Sequence, residues 1–157
     1  MINNNIKIEN ARLIFKNFSG KEIPPYNPAG CRNFCVILDN DLAIKLEEDG
    51  WNIKWLKPED EDEEPQAYIS VAVSFFPYPP KITVISNDEP EDYTEDMIYA
   101  LDGSEIENVD LVIRPYNWKM KGKGGVKAYL KTMYVTLAED EFAKKYAHYR
   151  KHDSNPE

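Results

Sequence analysis

Apolar and polar residues alternate with the period of a β-strand through much of this chain, most clearly near its C-terminal end. In residues 109–120, Val109, Leu111 and Ile113 fall on one face, and Val112, Arg114, Tyr116 and Trp118 on the other. In residues 126–137, Val126, Ala128 and Leu130 fall on one face, and Lys127, Tyr129 and Lys131 on the other. The segment KGKGG between them supplies positive-φ positions, so the two arms predict a hairpin. Residues 66–76 (QAYISVAVSFF) form the clearest alternating strand before position 100. FPYPP then turns the chain, and 81–86 (KITVIS) predicts a strand that pairs back.

The N-terminal half is less regular. Residues 6–18 predict one long, bent strand with imperfect alternation. The loop SGKEIPPYNPAG, with three prolines and two glycines, excludes regular structure. Residues 32–38 (RNFCVIL) predict a second strand. Asp39 or Asn40 then caps a short helix that places Leu42, Ile44 and Leu46 near one face and stops at Gly50. Residues 51–56 alternate as a strand. The stretch 87–108 is polar, with a short strand or turn near 97–101. From Glu139 onward, EDEFAKKYAHYRK predicts about two helical turns before the chain frays. About six to eight strands with one or two short helices and acidic loop insertions fit a mainly β protein, a small Greek-key barrel. Residues 1–149 read as one domain and 150–157 as a flexible tail.

Composition narrows the class. The chain has 157 residues, 42% hydrophobic and 30% charged, ordinary for a soluble globular domain. There is no apolar run of membrane-spanning length and no signal-peptide pattern, which points to a cytoplasmic location. Cys31 and Cys35 lie too far apart along one strand face to bridge, so two reduced thiols are expected.

The formal net charge of -9 argues against generic nucleic-acid binding, but its distribution argues otherwise. Residues 59–64 are EDEDEE, read as a solvated loop, and 88–110 hold ten acids and no Lys or Arg. Residues 111–137 hold six bases and no acid: Arg114, Lys119, Lys121, Lys123, Lys127 and Lys131, interleaved with Tyr116, Trp118, Tyr129 and Tyr134. Cations meet phosphates and flat rings stack on bases, so this strip suits a single-stranded nucleic acid. Against this stands the plain alternative that Tyr and Trp are good strand formers and Lys protects an exposed edge. Lys16, Phe18, Lys21 and Arg32, from the basic N-terminal part, are candidate second walls of the same groove.

The order VDLVIRPYNWKMKGKGGVKAYLKTMYV resembles the C-terminal hairpin of bacteriophage single-stranded-DNA-binding proteins. It has an apolar strand ending in aromatics, a Gly- and Lys-rich turn, then a Gly that opens an aliphatic strand. Tyr116, Trp118, Gly122, Gly124, Gly125, Val126, Tyr129 and Leu130 carry the likeness. The first strand ending in ARLIF, followed by a loop and a second strand, fits more loosely. The resemblance implies an oligonucleotide-binding (OB) fold, single-stranded DNA as partner without sequence preference, and work in phage or prophage replication or recombination in a bacterial host. It also brings in replication or recombination enzymes as partners and leaves a homodimer open. Many such proteins end in an acidic tail that recruits partner enzymes. Here YAHYRKHDSNPE is not acidic overall and departs from that pattern.

No cofactor, metal or catalytic set is expected. His148 and His152 have metal-ligand spacing on a helix, but sit in the fraying tail without a trustworthy carboxylate partner. KGKGG lacks P-loop spacing, and the acids at 88–96 lack an EF-hand's pattern. Glu105, Glu107, Asp110 and Lys119 make only a forced metal-nuclease site. The other alternative is an acidic DNA mimic that blocks a host DNA-binding protein, with its acids in two spaced rows on one face.

Overall fold

A computed structural model describes residues 4–139 together with 142, 145 and 146. Nine strands are formed among them, in one sheet: β1 Ile6–Ile8, β2 Leu13–Asn17, β3 Asn33–Leu38, β4 Ile53–Leu56, β5 Gln66–Ala72, β6 Lys81–Ser86, β7 Glu89–Tyr93, β8 Ile106–Met120 and β9 Lys123–Leu137. One α-helix, α1 Asn40–Glu48, follows β3, and a 3-10 helix, Ile98–Asp102, precedes β8. The predicted C-terminal helix, the His148–His152 pair and the 150–157 tail fall largely or wholly outside the described residues.

The chain closes its sheet by breaking its first strand. β1 pairs antiparallel with β8, whereas β2 pairs antiparallel with β3. The break lies at Asn10, whose φ of 53° is in the left-handed region that Asn tolerates. Asp110 accepts a hydrogen bond from the Asn10 N–H at 2.9 Å, and the Ala11 N–H donates to the Val109 carbonyl at 2.7 Å, so the corner is pinned to β8. The ring then runs β1–β8–β9–β5–β3–β2, with β5 and β9 parallel and the other neighbours antiparallel. This is a Greek-key barrel of OB-like order, with β1 and β2 as the halves of one bent strand.

The hairpin follows the predicted faces. Val109, Leu111, Ile113, Val126, Ala128 and Leu130 are all buried in the core. The turn is tighter than KGKGG suggested: only Lys121 and Gly122 lie between the strands, at φ 49° and 80°, the two positive-φ positions of a type I′ turn. Gly124 and Gly125 belong to β9. Val112 faces Thr132 while Ile113 faces Leu130, so Lys131 is an extra residue, a bulge. Even-numbered residues of β9 face the core before it, and the odd-numbered Met133 and Val135 after it. Pro115 sits beyond the last β1 partner, Ile113, where β8 has only β9 as a neighbour and a proline is tolerated.

Elsewhere the structure corrects several expectations. Ala43 and Leu46 face the core from α1, whereas Ile44 is exposed, because residues two apart lie on opposite sides of a helix. Gly50, at φ 96°, follows the helix as expected, and its carbonyl accepts from the Val126 N–H at 2.9 Å. β6 does not pair back on β5. It runs parallel to the distal part of β9, and on its other side it takes β7, a strand formed inside the acidic stretch. The segment near 97–101 is the 3-10 helix, held by buried Ile98 and Leu101. The Pro-rich loop between β2 and β3 contains an isolated Ile23–Asn27 bridge. The Asn27 side chain donates to the carbonyls of Lys21, Pro28 and Cys31 there.

Candidate nucleic-acid interface

The outer faces of β3, β5, β9 and β8 come into register beside one another. Asn33 pairs with Ala72, Ala72 with Tyr129, and Tyr129 with Arg114, so four strands place these residues in one row. Alternation buries their neighbours Phe34, Val71 and Ala128 and leaves the row outside. Small side chains run along the middle of this face: Ala72, Ser70, and the glycines 124 and 125. Larger groups stand around them, and the result is a groove of about 1000 Å³. Its walls include Arg32 and Phe76 on one side, Lys54 from β4, and Trp118, Lys127 and Tyr129 from the hairpin.

Each hairpin ring has a physical reason for its pose. Trp118 lies across Gly125, where a Cβ would stand 3.1 Å from the indole Nε1 and Cζ2. Glycine at that position gives the indole a seat and leaves the side chain 41% exposed. Tyr129 is the centre of a second cluster. The Arg114 guanidinium lies 4.8 Å from its ring centroid and the Lys127 ammonium 5.1 Å, while Tyr116 meets it edge-on at 6.0 Å. Arg114 also lies 5.5 Å from the Tyr78 ring, so one cation ties the loop after β5 to the hairpin. Tyr116 stays half-exposed.

The candidates from sequence divide into three groups. Arg32, Trp118, Lys127 and Tyr129 line the groove, with Tyr116 and Arg114 packed against Tyr129. Lys119, Lys121 and Lys123 are exposed at the hairpin tip, Lys131 is exposed at the bulge, and Lys21 is exposed in the β2–β3 loop. Lys16 and Phe18 do not join them. The Lys16 ammonium donates to the carbonyls of Leu101 and Ser104 at 3.1 and 3.3 Å, tying β2 to the 3-10 helix. Phe18 is fully buried and stacks on Phe34 with ring centroids 5.2 Å apart. A basic, aromatic composition suggested a wall there, but these two side chains serve the interior.

Several groove residues were missed. Phe75, Phe76 and Lys54 line it, and Phe76 is 88% exposed. The signal was present in FPYPP: aromatics between prolines sit in a loop and need another partner than the core. Phe15, inside the predicted first strand, also turns outward. It lies at a bulge in β2 with φ 51°, 63% exposed, and meets Tyr68 of the outer face edge-on at 5.9 Å.

Several acids of 88–110 have partners within the protein. Asp92 accepts from the Thr83 hydroxyl at 2.8 Å, and Asp102 accepts from the backbone N–H groups of Phe18 and Ser19 at 2.6 and 3.0 Å. Glu95 pairs with Arg32. Among the described residues no three acids, histidines or cysteines converge as a metal site would require. Cys31 is exposed and Cys35 buried, both as free thiols, and burial pushes the Cys35 thiol above its ordinary value. No helix among the described residues is long and apolar enough to cross a membrane.

An OB-like barrel whose outer face carries a ring-lined, cationic groove defines an oligonucleotide-binding protein. Residues 1–155 match the family described as "Putative phage ssDNA-binding domain", and the chain belongs to that family. Among solved structures it is similar to the single-stranded DNA-binding protein from bacteriophage Enc34 in complex with ssDNA. The identity is 18% and the TM-score 0.55, over 88% of this chain and 89% of that one. Another structure of the Enc34 protein aligns at 19% identity and TM-score 0.53, over 88% of this chain and 83% of that one. These likenesses establish a shared fold. No curated protein matches the chain.

Proposed function

We propose that this protein coats single-stranded DNA without sequence preference during phage or prophage replication or recombination, in the cytoplasm of the bacterial host, and that it acts by binding and not by catalysis. The observation that carries this reading is the union of stackable rings, cations and a floor of small side chains on one outer face of the barrel. Trp118, Tyr129 and Phe76 offer flat surfaces to bases of any identity. Arg32, Lys54 and Lys127 offer positive charge to phosphates, and the lysines of the hairpin tip extend it beyond the groove. Membership in a phage ssDNA-binding family and the fold shared with the Enc34 protein support the same reading.

Titration with poly-dT and a matched duplex tests it. Binding should favour the single strand and weaken with salt, with a logarithmic slope of about 0.7 per phosphate contacted. Tight binding to duplex with none to poly-dT would overturn the reading, as would no binding to either at low salt. The tip lysines are tested separately. Replacing Lys121 and Lys123 together by Ala should weaken binding and flatten the salt slope by up to about 1.4, two phosphates' worth. The turn is exposed, so the melting temperature should hardly move. A double variant that binds like the parent would make the tip an edge-protection device alone.

A further inference from the structure

The groove contains one acid among its described lining residues, Glu95, set against the bases Arg32, Lys54 and Lys127. It is not a stray surface charge. It stands two residues beyond the end of β7, on the segment that leads to the 3-10 helix, which buried Ile98 and Leu101 anchor in the core. The segment brings the Glu95 Oε1 to 2.8 Å from the Arg32 Nη1. Arg32 is itself held in place, with its guanidinium 5.8 Å from the centroid of the Phe75 ring. The Arg32 side chain is 25% exposed and that of Glu95 55%, so the cation is fixed and the acid is the more open partner.

A carboxylate and a phosphate both offer oxygen acceptors to the fork of a guanidinium. We propose that Glu95 is a built-in phosphate surrogate, which occupies Arg32 in the empty groove and yields it to a DNA phosphate when a strand enters. This rests on the groove being the path of the single strand. A half-exposed ion pair contributes little to stability and is separated at small cost, so the fold does not need it. Its effect falls on binding. Every strand that takes Arg32 must first displace Glu95, and the displaced acid remains beside the phosphates. Affinity is held below what the cations alone would give, which leaves a coating protein removable by the enzymes that follow it.

The test is a titration of the full chain with a dT oligonucleotide over a range of salt. Glu95→Gln should tighten binding by about two- to fivefold at low salt, the range that an exposed ion pair spans. The gain should shrink as salt rises, giving a steeper salt slope than the parent's. Arg32→Ala should cost more affinity in the Glu95→Gln background than in the parent, because the parent's Arg32 is already spoken for. Glu91→Gln removes one acid from exposed β7, outside the groove, and controls for net charge. A melt of each variant confirms that it is folded.

The inference is overturned if Glu95→Gln binds no tighter than the parent, or if Glu91→Gln gains as much. It is also overturned if Arg32→Ala costs the same in both backgrounds, since Glu95 would then act as a general repulsion. A parent that does not bind the oligonucleotide at all refutes the single-strand reading instead, so the two failures are told apart.

Discussion

Replacing Phe18 by Ala should lower stability by about 3–5 kcal/mol, with little effect on the DNA affinity of the protein that remains folded. In a domain of this size that loss corresponds to a fall of roughly 6–20 °C in melting temperature. The reason is the ring's position: it is fully buried, stacked on Phe34, and its own backbone N–H is held by Asp102. Truncation leaves a cavity under the β2–β3 corner that a braced backbone does not readily collapse. Thermal melting and a titration of the same sample read the two effects. A stable variant with weakened binding would put Phe18 at the DNA surface and contradict the packing described above.

Trp118→Ala should do the reverse. Loss of one stacking platform is expected to cost about 1–3 kcal/mol of affinity, or roughly 5- to 150-fold in Kd. Stability should change by about 1 kcal/mol or less, because the indole rests on Gly125 at the rim and is not part of the core. A stability loss in the core range with unchanged affinity would show that the indole is a packing group and that the stacking platform lies elsewhere.

The contrast between these two aromatics shows what the amino-acid pattern could reveal. Trp118 and Tyr129 were legible because strict alternation through Ile113 and Ala128 leaves a strand only one way to turn. Phe18 follows β2 directly, after the left-handed Asn10 and the bulge at Phe15 have each interrupted the alternation, so no continuous count along the strand assigns its face. The charge of Lys16 suggests a groove wall, and no local signal announces two carbonyl acceptors 85 and 88 residues away. β7 was hidden for another reason. Exposed on both faces apart from Tyr93, it shows no alternation, and it is a strand because β6 offers it a ladder. The parallel pairings of β9 with β5 and β6 are likewise non-local and leave no trace in spacing. The groove residues contributed by the loop after β5 were legible only in composition, as aromatics that prolines keep out of regular structure.

The hairpin is divided near Trp118 and Gly124 into two parts with different freedom to evolve. On the barrel side, removing or adding a single residue would move a whole arm by half a period, sending Lys127 and Tyr129 inward and Ala128 outward. Length there is frozen by the phase of the core. Beyond Trp118 and Gly124 no such lock operates, since the tip residues are exposed and held by one two-residue turn. Insertions between Met120 and Lys123 would leave every groove residue in place. The reach of the lysine-bearing tip can therefore drift among descendants of this sequence, or be lengthened by design, without disturbing the surface on which the rings sit.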